Sequence, residues 1–309
     1  MKLSVVGTLY YSEKYIEEFC SRVSREARSL FGDDYEIILV NDGSPDNSLN
    51  IAKEAAKKDC HIKVVDLSKN FGHYKAIMTG LEFAEGDLVF LLDTDLEEQP
   101  EWLSVFYERM RETASDVIYG VQGKRKGGLF EKVSGKIFYK LFNFLSKVKI
   151  PENSVTARLM TSSYKTSLLQ FKEQELFLFG VFELAGFKQL PYTVKKLQAS
   201  PTTYSLSRKF SIFFNGLTSF SAYPLKMIFL FGFSISLISF LYFVFILFNW
   251  LMYEKPIQGW TSIILSIWFF GGIITLSIGV IGIYLSKIFI EVKNRPYTIV
   301  KSFYRNDEK

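Results

Sequence analysis

The stretch Phe90-Leu91-Leu92-Asp93-Thr94-Asp95 ends an apolar run with two carboxylates one residue apart. Alternate side chains of an extended strand share a face, so Asp93 and Asp95 point one way if the strand continues and converge on one ligand if it turns. Paired carboxylate oxygens suit a hard divalent cation, and Mg²⁺ or Mn²⁺ in such a site is shared with the phosphates of a nucleotide. Acidic pairs also occur in plain solvated turns, so the meaning of this one depends on the elements that hold it.

Those elements alternate. Leu3 to Leu9 is a short apolar, β-branched run, and Tyr10 to Phe31 follows with Tyr15, Phe19, Val23, Ala27 and Leu30 at helical spacing. Glu36 to Val40 reads as a second strand, stopping at Asn41-Asp42-Gly43-Ser44-Pro45, a turn of residues that accept unusual backbone angles. A helix over Asp46 to Lys58, a strand over Ile62 to Leu67, a helix over Tyr74 to Ala84 and a strand over Leu88 to Leu92 continue the series. The order predicts an α/β domain with a parallel sheet covered on both faces, binding its ligand beyond the strands' carboxyl ends. Three of those ends carry polar clusters, at Thr8 to Glu13, Asn41 to Ser44 and Asp93 to Asp95, which together point to a nucleotide pocket. No G-x-G-x-x-G follows the first strand and no G-x-x-x-x-G-K-[ST] occurs, which argues against a dinucleotide or P-loop site.

The 309 residues are 48% hydrophobic and 17% aromatic, and the excess is concentrated. Met227 to Tyr253 and Thr261 to Ser286 are uncharged, each longer than the roughly 20 residues that cross a hydrocarbon core. Only Glu254 to Trp260 separates them, which predicts a two-helix transmembrane hairpin with both outer ends on one side. Arg208, Lys209 and Lys226 precede it and Lys287, Lys293, Arg295 and Lys301 follow it, against Lys255 alone in the loop, so both flanks are expected in the cytoplasm. Met1 to Tyr11 is too short an apolar run for a signal peptide. Cys20 and Cys60 lack metal-ligand spacing and read as unpaired packing residues, and two histidines are too few for an imidazole metal site. His61 reads as a surface residue and His73 as a donor at the pocket's edge beside Lys75. A net charge of +5 without a basic stripe interleaved with stacking aromatics excludes nucleic acid as a partner.

The succession S-V-V-x-x-x-Y, V-N-D-G-S-P-D, N-F-G-H-Y-K-A, D-T-D-L-E-E-Q-P-E and R-L-M, followed by the two apolar runs, resembles the polyprenyl-phosphate glycosyltransferases of glycosyltransferase family 2. The resemblance implies a GT-A fold that binds a nucleoside diphosphate sugar, a UDP-sugar being favoured, with Mg²⁺ or Mn²⁺ at the D-x-D turn. It implies transfer with inversion to a polyprenyl phosphate, specifically undecaprenyl phosphate, at a bacterial plasma membrane, and makes a homo-oligomer, a tetramer, possible. Carried over residue by residue, Thr8, Tyr10, Glu13, Asp42, Lys75 and Asp93 would bind the nucleotide sugar. Asp93, Asp95 and Glu97 would hold the metal, Glu97 standing where the family has glutamine. Asp95, Glu97, Thr156 and Arg158 are the catalytic candidates. The implied organisation is a GT-A domain over residues 1–200, an interfacial helix over 201–226, the hairpin over 227–286 and a cytoplasmic tail over 287–309.

The chain departs from that pattern at Ser12, where the family has the first glutamate of Y-N-E-E, and at Ile150 to Met160, where Asn153 and Thr156 take two acidic positions. Neither side chain accepts a proton as a carboxylate does. Three explanations stand: a phosphate acceptor is largely ionised near neutral pH and needs no base, Glu97, Glu152 or a neighbouring carboxylate substitutes, or activity is lost. At the membrane, Lys124 and Arg125 form a basic loop, and residues 129–149 set Phe130, Val133, Ile137 and Leu141 against Lys132, Lys136 and Lys140, an amphipathic helix for the headgroup layer. Lys124, Arg125 and Lys132, with Arg208 and Lys209 further on, are candidates for gripping the lipid phosphate. A glycosyltransferase acting on a lipid-linked saccharide and a non-catalytic nucleotide-sugar-binding subunit are the competing functions.

Overall fold

The computed structural model describes residues 1–123, 149–196, 223–253 and 259–306. Four strand-helix steps open the chain: β1 (Leu3–Leu9), α1 (Ile16–Phe31), β2 (Tyr35–Asn41), α2 (Ser48–Lys58), β3 (Ile62–Leu67), α3 (His73–Phe83), β4 (Leu88–Leu91) and α4 (Trp102–Thr113). They are followed by β5 (Val117–Gln122), β6 (Ser154–Thr161), α5 (Ser162–Leu168), α6 (Leu178–Leu184), β7 (Gln189–Val194), α7 (Tyr223–Tyr253), α8 (Trp260–Val292) and β8 (Val300–Tyr304).

One sheet in the order β7-β5-β6-β4-β1-β2-β3-β8 carries the domain. It is mostly parallel, with β6 antiparallel to both neighbours and β8 antiparallel to β3. Every residue of β1 and β2 is buried, as strands covered on both faces must be. Alternation splits them between two cores. Val5, Ile37 and Leu39 pack with Phe19 and Val23 of α1 and Phe106 of α4, whereas Val6, Ile38 and Val40 pack with Ala76, Ile77 and Leu81 of α3 and Val181 of α6. The chain moves outward from β1 through β2 to β3, then returns to place β4 on the other side of β1. The carboxyl ends of β1 and β4 therefore flank the point where strand order reverses, which is where an open sheet offers a crevice.

Helix α7 covers Tyr223–Tyr253, so residues 223–226, expected at the end of an interfacial helix, are continuous with the first apolar run. Helix α8 runs past Ser286 to Val292 and brings Lys287 and Glu291 onto the domain, through a 3.3 Å ion pair from Lys287 to Glu175 and a 2.7 Å hydrogen bond from the Gln174 amide to Glu291. Residues 300–304 are no loose tail, since β8 closes the sheet edge at β3. Among the described residues, Phe269–Val292 is long and apolar enough to cross a membrane, and Tyr223–Ile235 is a shorter apolar helix. The amphipathic stretch 129–148 and residues 201–222, with the candidates Lys124, Arg125, Lys132, Arg208 and Lys209, lie outside the described residues.

Cys20 is buried, but Cys60 is exposed and so does not pack as expected. His61 is no plain surface residue: its ring stacks 4.2 Å from Tyr35 and its Nδ1 lies 2.7 Å from Asp59.

Candidate active site

The site starts from backbone. After β4 the chain turns sharply, and Leu96 takes a φ of 59°, a left-handed conformation that costs a non-glycine residue about 1 kcal/mol or more. The turn is stapled to β1, because the Thr94 hydroxyl donates to the Thr8 carbonyl at 2.7 Å. The Glu97 amide donates to Asp95 Oδ1 at 3.0 Å, fixing the second carboxylate.

His73, at the start of α3, bridges the two strands. Its Nδ1 lies 3.1 Å from Thr8 Oγ1 and its Nε2 3.4 Å from Asp93 Oδ1. Burial alone would raise the Asp93 carboxyl, but the His73 imidazole, then Lys196 and the Thr156 hydroxyl, hold it below the ordinary range. Asp95 shifts the other way, raised by burial and by the Asp93 charge. Asp93 Oδ1 is buried without a hydrogen bond, the His73 contact being an ion pair only. An orphaned carboxylate oxygen on a turn that carries further carboxylates is the donor type a hard divalent cation takes, so Asp93, Asp95 and Glu97 suit Mg²⁺ or Mn²⁺ by their chemistry, their oxygens standing further apart here than in a closed ligand cluster.

Beneath the turn lie two groups that sequence reasoning missed. Glu98 is fully buried, and its carboxylate accepts from the Thr156 amide at 3.1 Å and the Asp93 amide at 3.5 Å. Burial and the Asp93 charge push it up to about 7, against the pull of Lys196. Lys196, two residues beyond β7, reaches Glu98 at 3.0 Å and Glu97 at 3.8 Å. Burial works against its ammonium, but Glu98, Asp93 and Asp95 outweigh it and raise its pKa. A cavity of about 230 Å³ opens beside it, lined by Gln122, Asn153, Thr156, Phe179 and Lys196 among others. Thr156 thus sits at the site as expected, offering a hydroxyl.

The other candidates separate. Asp42 is buried, and its two oxygens accept from the amides of Phe71 (2.7 Å) and Gly72 (3.1 Å), so it latches the loop before α3. Burial raises its carboxyl despite those bonds. Gly43 beside it has a φ of 60°, and a Cβ there would lie 2.5 Å from the Asn70 amide nitrogen, so only glycine fits this turn. Tyr10 is exposed at the end of β1, set edge-on to Tyr11. Glu13 accepts from the Asn47 amide at the start of α2. Lys75 turns away from the acidic turn, toward Gln174 at 3.4 Å and the Tyr297 ring at 5.4 Å. Arg158 is corrected most. It is 2% exposed, bonded to the Thr156 and Val155 carbonyls and laid 3.1 Å over the Phe182 ring, so its head is enclosed by protein rather than presented to the crevice. Burial lowers its pKa to about 10.

Comparison with known proteins places this geometry. The model of the family described as glycosyl transferase family 2 matches residues 4–171. A Mycobacterium tuberculosis (strain CDC 1551 / Oshkosh) protein named as a glycosyltransferase is 43% identical over 307 residues, covering 99% of this chain and 90% of that one. An uncharacterized glycosyltransferase of Bacillus subtilis (strain 168) is 34% identical over 312 residues, covering 100% and 96%. The SfII prophage-derived bactoprenol glucosyl transferase of Shigella flexneri is 31% identical over 309 residues, covering 99% and 100%. Spanning the strands, the acidic turn and the C-terminal helices alike, these matches show that the chain belongs to glycosyltransferase family 2, with a GT-A-like α/β domain.

Proposed function

We propose that this glycosyltransferase moves a sugar from a nucleoside diphosphate sugar, a UDP-sugar by preference, to a polyprenyl phosphate on the cytoplasmic leaflet, with inversion at the anomeric carbon. One observation carries the reading: the likeness to the bactoprenol glucosyl transferase of Shigella flexneri runs over both whole chains, including the two C-terminal helices that here follow the domain. In this reading α7 and α8 cross the bilayer as a hairpin and hold the crevice near the headgroups, where a lipid phosphate arrives.

The donor's diphosphate would lie at the acidic turn, where Asp93, Asp95 and Glu97 would hold Mg²⁺ or Mn²⁺. When bound, that cation would neutralise charge developing on the leaving nucleoside diphosphate. The residues of this chain do the rest. Thr8 and His73 orient Asp93, Glu97's amide orients Asp95, and Glu98 ties the turn to β6 at Thr156. The acceptor's phosphate oxygen attacks the anomeric carbon from the face opposite the diphosphate, the new C–O bond forming as the bond to the diphosphate breaks. A phosphate monoester is largely ionised at neutral pH, with a second pKa near 6, so Asn153 and Thr156 suffice where a carboxylate base is absent. Positioning and charge then carry the rate.

The test is transfer of labelled sugar from candidate UDP-sugars to added undecaprenyl phosphate by membranes containing the chain. An organic-extractable product is expected, with a loss of about a hundredfold or more in Asp95→Ala. Transfer undiminished in Asp95→Ala, or product only with a lipid-linked saccharide as acceptor, overturns the reading. Product abolished by Glu97→Gln or Glu152→Gln while nucleotide binding persists would overturn the base-free chemistry alone.

A further inference from the structure

The acidic turn contains a cation already. Asp93, Asp95, Glu97 and Glu98 follow one another along a single turn, and the Lys196 ammonium lies against it, 3.0 Å from Glu98 and 3.8 Å from Glu97. Its anchor cannot follow a moving ligand. Glu98 is fully buried and pinned by the amides of Thr156 on β6 and Asp93 on the turn. On the far side, His73 faces Asp93 at 3.4 Å, while Asp95 is fixed by the Glu97 amide. A divalent cation entering this cluster gains from the carboxylates and is repelled by a positive charge a few ångströms away, in a partly dry site where such terms are strong. A nucleoside diphosphate entering the same crevice brings the negative charge that relieves this repulsion.

We propose that Lys196, clamped by Glu98, is the resident counter-cation of the acidic turn, keeping the affinity for a lone divalent cation low so that cation and nucleoside diphosphate are taken up together. The proposal rests on the reading of Asp93, Asp95 and Glu97 as cation ligands. Its consequence is reciprocal: whatever the diphosphate does for cation affinity, the cation does for diphosphate affinity, and Lys196 sets the size of that coupling. The arrangement would spare the enzyme from holding a cation without its donor.

Calorimetric titration of the purified full-length protein in detergent with Mn²⁺, alone and with saturating UDP, tests this without acceptor or turnover. The wild type is expected to bind Mn²⁺ weakly alone and more tightly with UDP. Lys196→Met should bind Mn²⁺ alone about tenfold more tightly and lose most of the UDP-dependent gain, a change within the usual range of coupling energies. Lys196→Arg keeps the charge and should match the wild type, whereas Glu98→Gln, which frees the ammonium toward Glu97, should bind Mn²⁺ more weakly. A merely structural lysine would weaken Mn²⁺ binding when replaced. The proposal is overturned if Lys196→Met keeps the wild-type unfolding midpoint and its Mn²⁺ affinity is unchanged or lower. Should Lys196→Met not fold, Lys196→Gln is read in its place, and misfolding of both overturns the proposal by making the lysine structural. A wild type that binds no Mn²⁺ even with UDP would sink the cation-turn reading itself, whereas UDP-coupled binding untouched in Lys196→Met sinks only this inference.

Discussion

A residue's type says what chemistry it can do, and its surroundings decide whether it does it. Arg158 and Lys196 make the contrast. Arg158 stands in the R-L-M match and is a catalytic candidate on that ground, yet its guanidinium lies over Phe182, bonded to backbone carbonyls and buried. Its long stem and planar head fill space in the second core, as arginine does when it packs. Arg158→Ala should therefore lower stability by about 2 kcal/mol or more, read as a drop in the thermal midpoint of the purified protein. Normal stability with selective loss of turnover would restore it to the reacting groups. Lys196 matches no motif, and only the fold brings it to the acidic turn.

Elements show where sequence reading succeeds and where it stops. Strands β1 to β4 were legible because strands buried on both faces must be apolar throughout, and polar clusters mark their carboxyl ends. Strand β8 was not, since Val300 to Tyr304 is short and mixed and pairs with β3 across more than two hundred residues. That Glu98 and Lys196 join Thr156 was hidden for the same reason, since the three meet only through the order β7-β5-β6-β4. The two edges of the sheet also differ in charge. At the amino ends of β1 to β3, the buried Glu36 carboxylate pairs with Lys63 at 2.6 Å and Lys2 at 3.4 Å and accepts from Ser4 at 2.6 Å, so its charge is matched. Burial would raise it, but Lys63, Ser4 and the Glu85 amide hold it below its ordinary 4.5. A depressed carboxyl stabilises the fold fully above its unfolded pKa and stops doing so as pH falls through the folded value. Denaturant unfolding should thus show stability falling below pH 4.5, and Glu36→Gln should flatten that dependence while costing on the order of 2 kcal/mol at pH 7. An unchanged acid limb in Glu36→Gln would rule the cluster out as its source.

At the scale of the whole molecule, the domain and the helices are joined by specific contacts rather than by a bare linker. Lys287 and Glu291 of α8 hold Glu175 and Gln174, the Arg295 carbonyl accepts from the Gln174 amide group, and Thr298 meets Thr79 of α3 at 2.8 Å. Strand β8 then completes the sheet on the side of β3, with Phe303 stacked 5.2 Å from Phe83. If α7 and α8 cross the bilayer, these contacts put the domain on the same side as the carboxyl end of α8, and the excess of lysine and arginine there makes that side the cytoplasm. The two cysteines supply a probe that needs no engineering. Cys20 is buried, and its thiol is pushed up to about 12 by burial and by Asp59, so it stays protonated and unreactive. Cys60 is exposed on the domain's surface. A membrane-impermeant maleimide should leave the chain unlabelled in cells with an intact inner membrane, label it in inverted membrane vesicles, and fail in both with Cys60→Ser. Labelling from the outside of intact cells would place the crevice on the wrong side of the bilayer for a nucleotide sugar made in the cytoplasm.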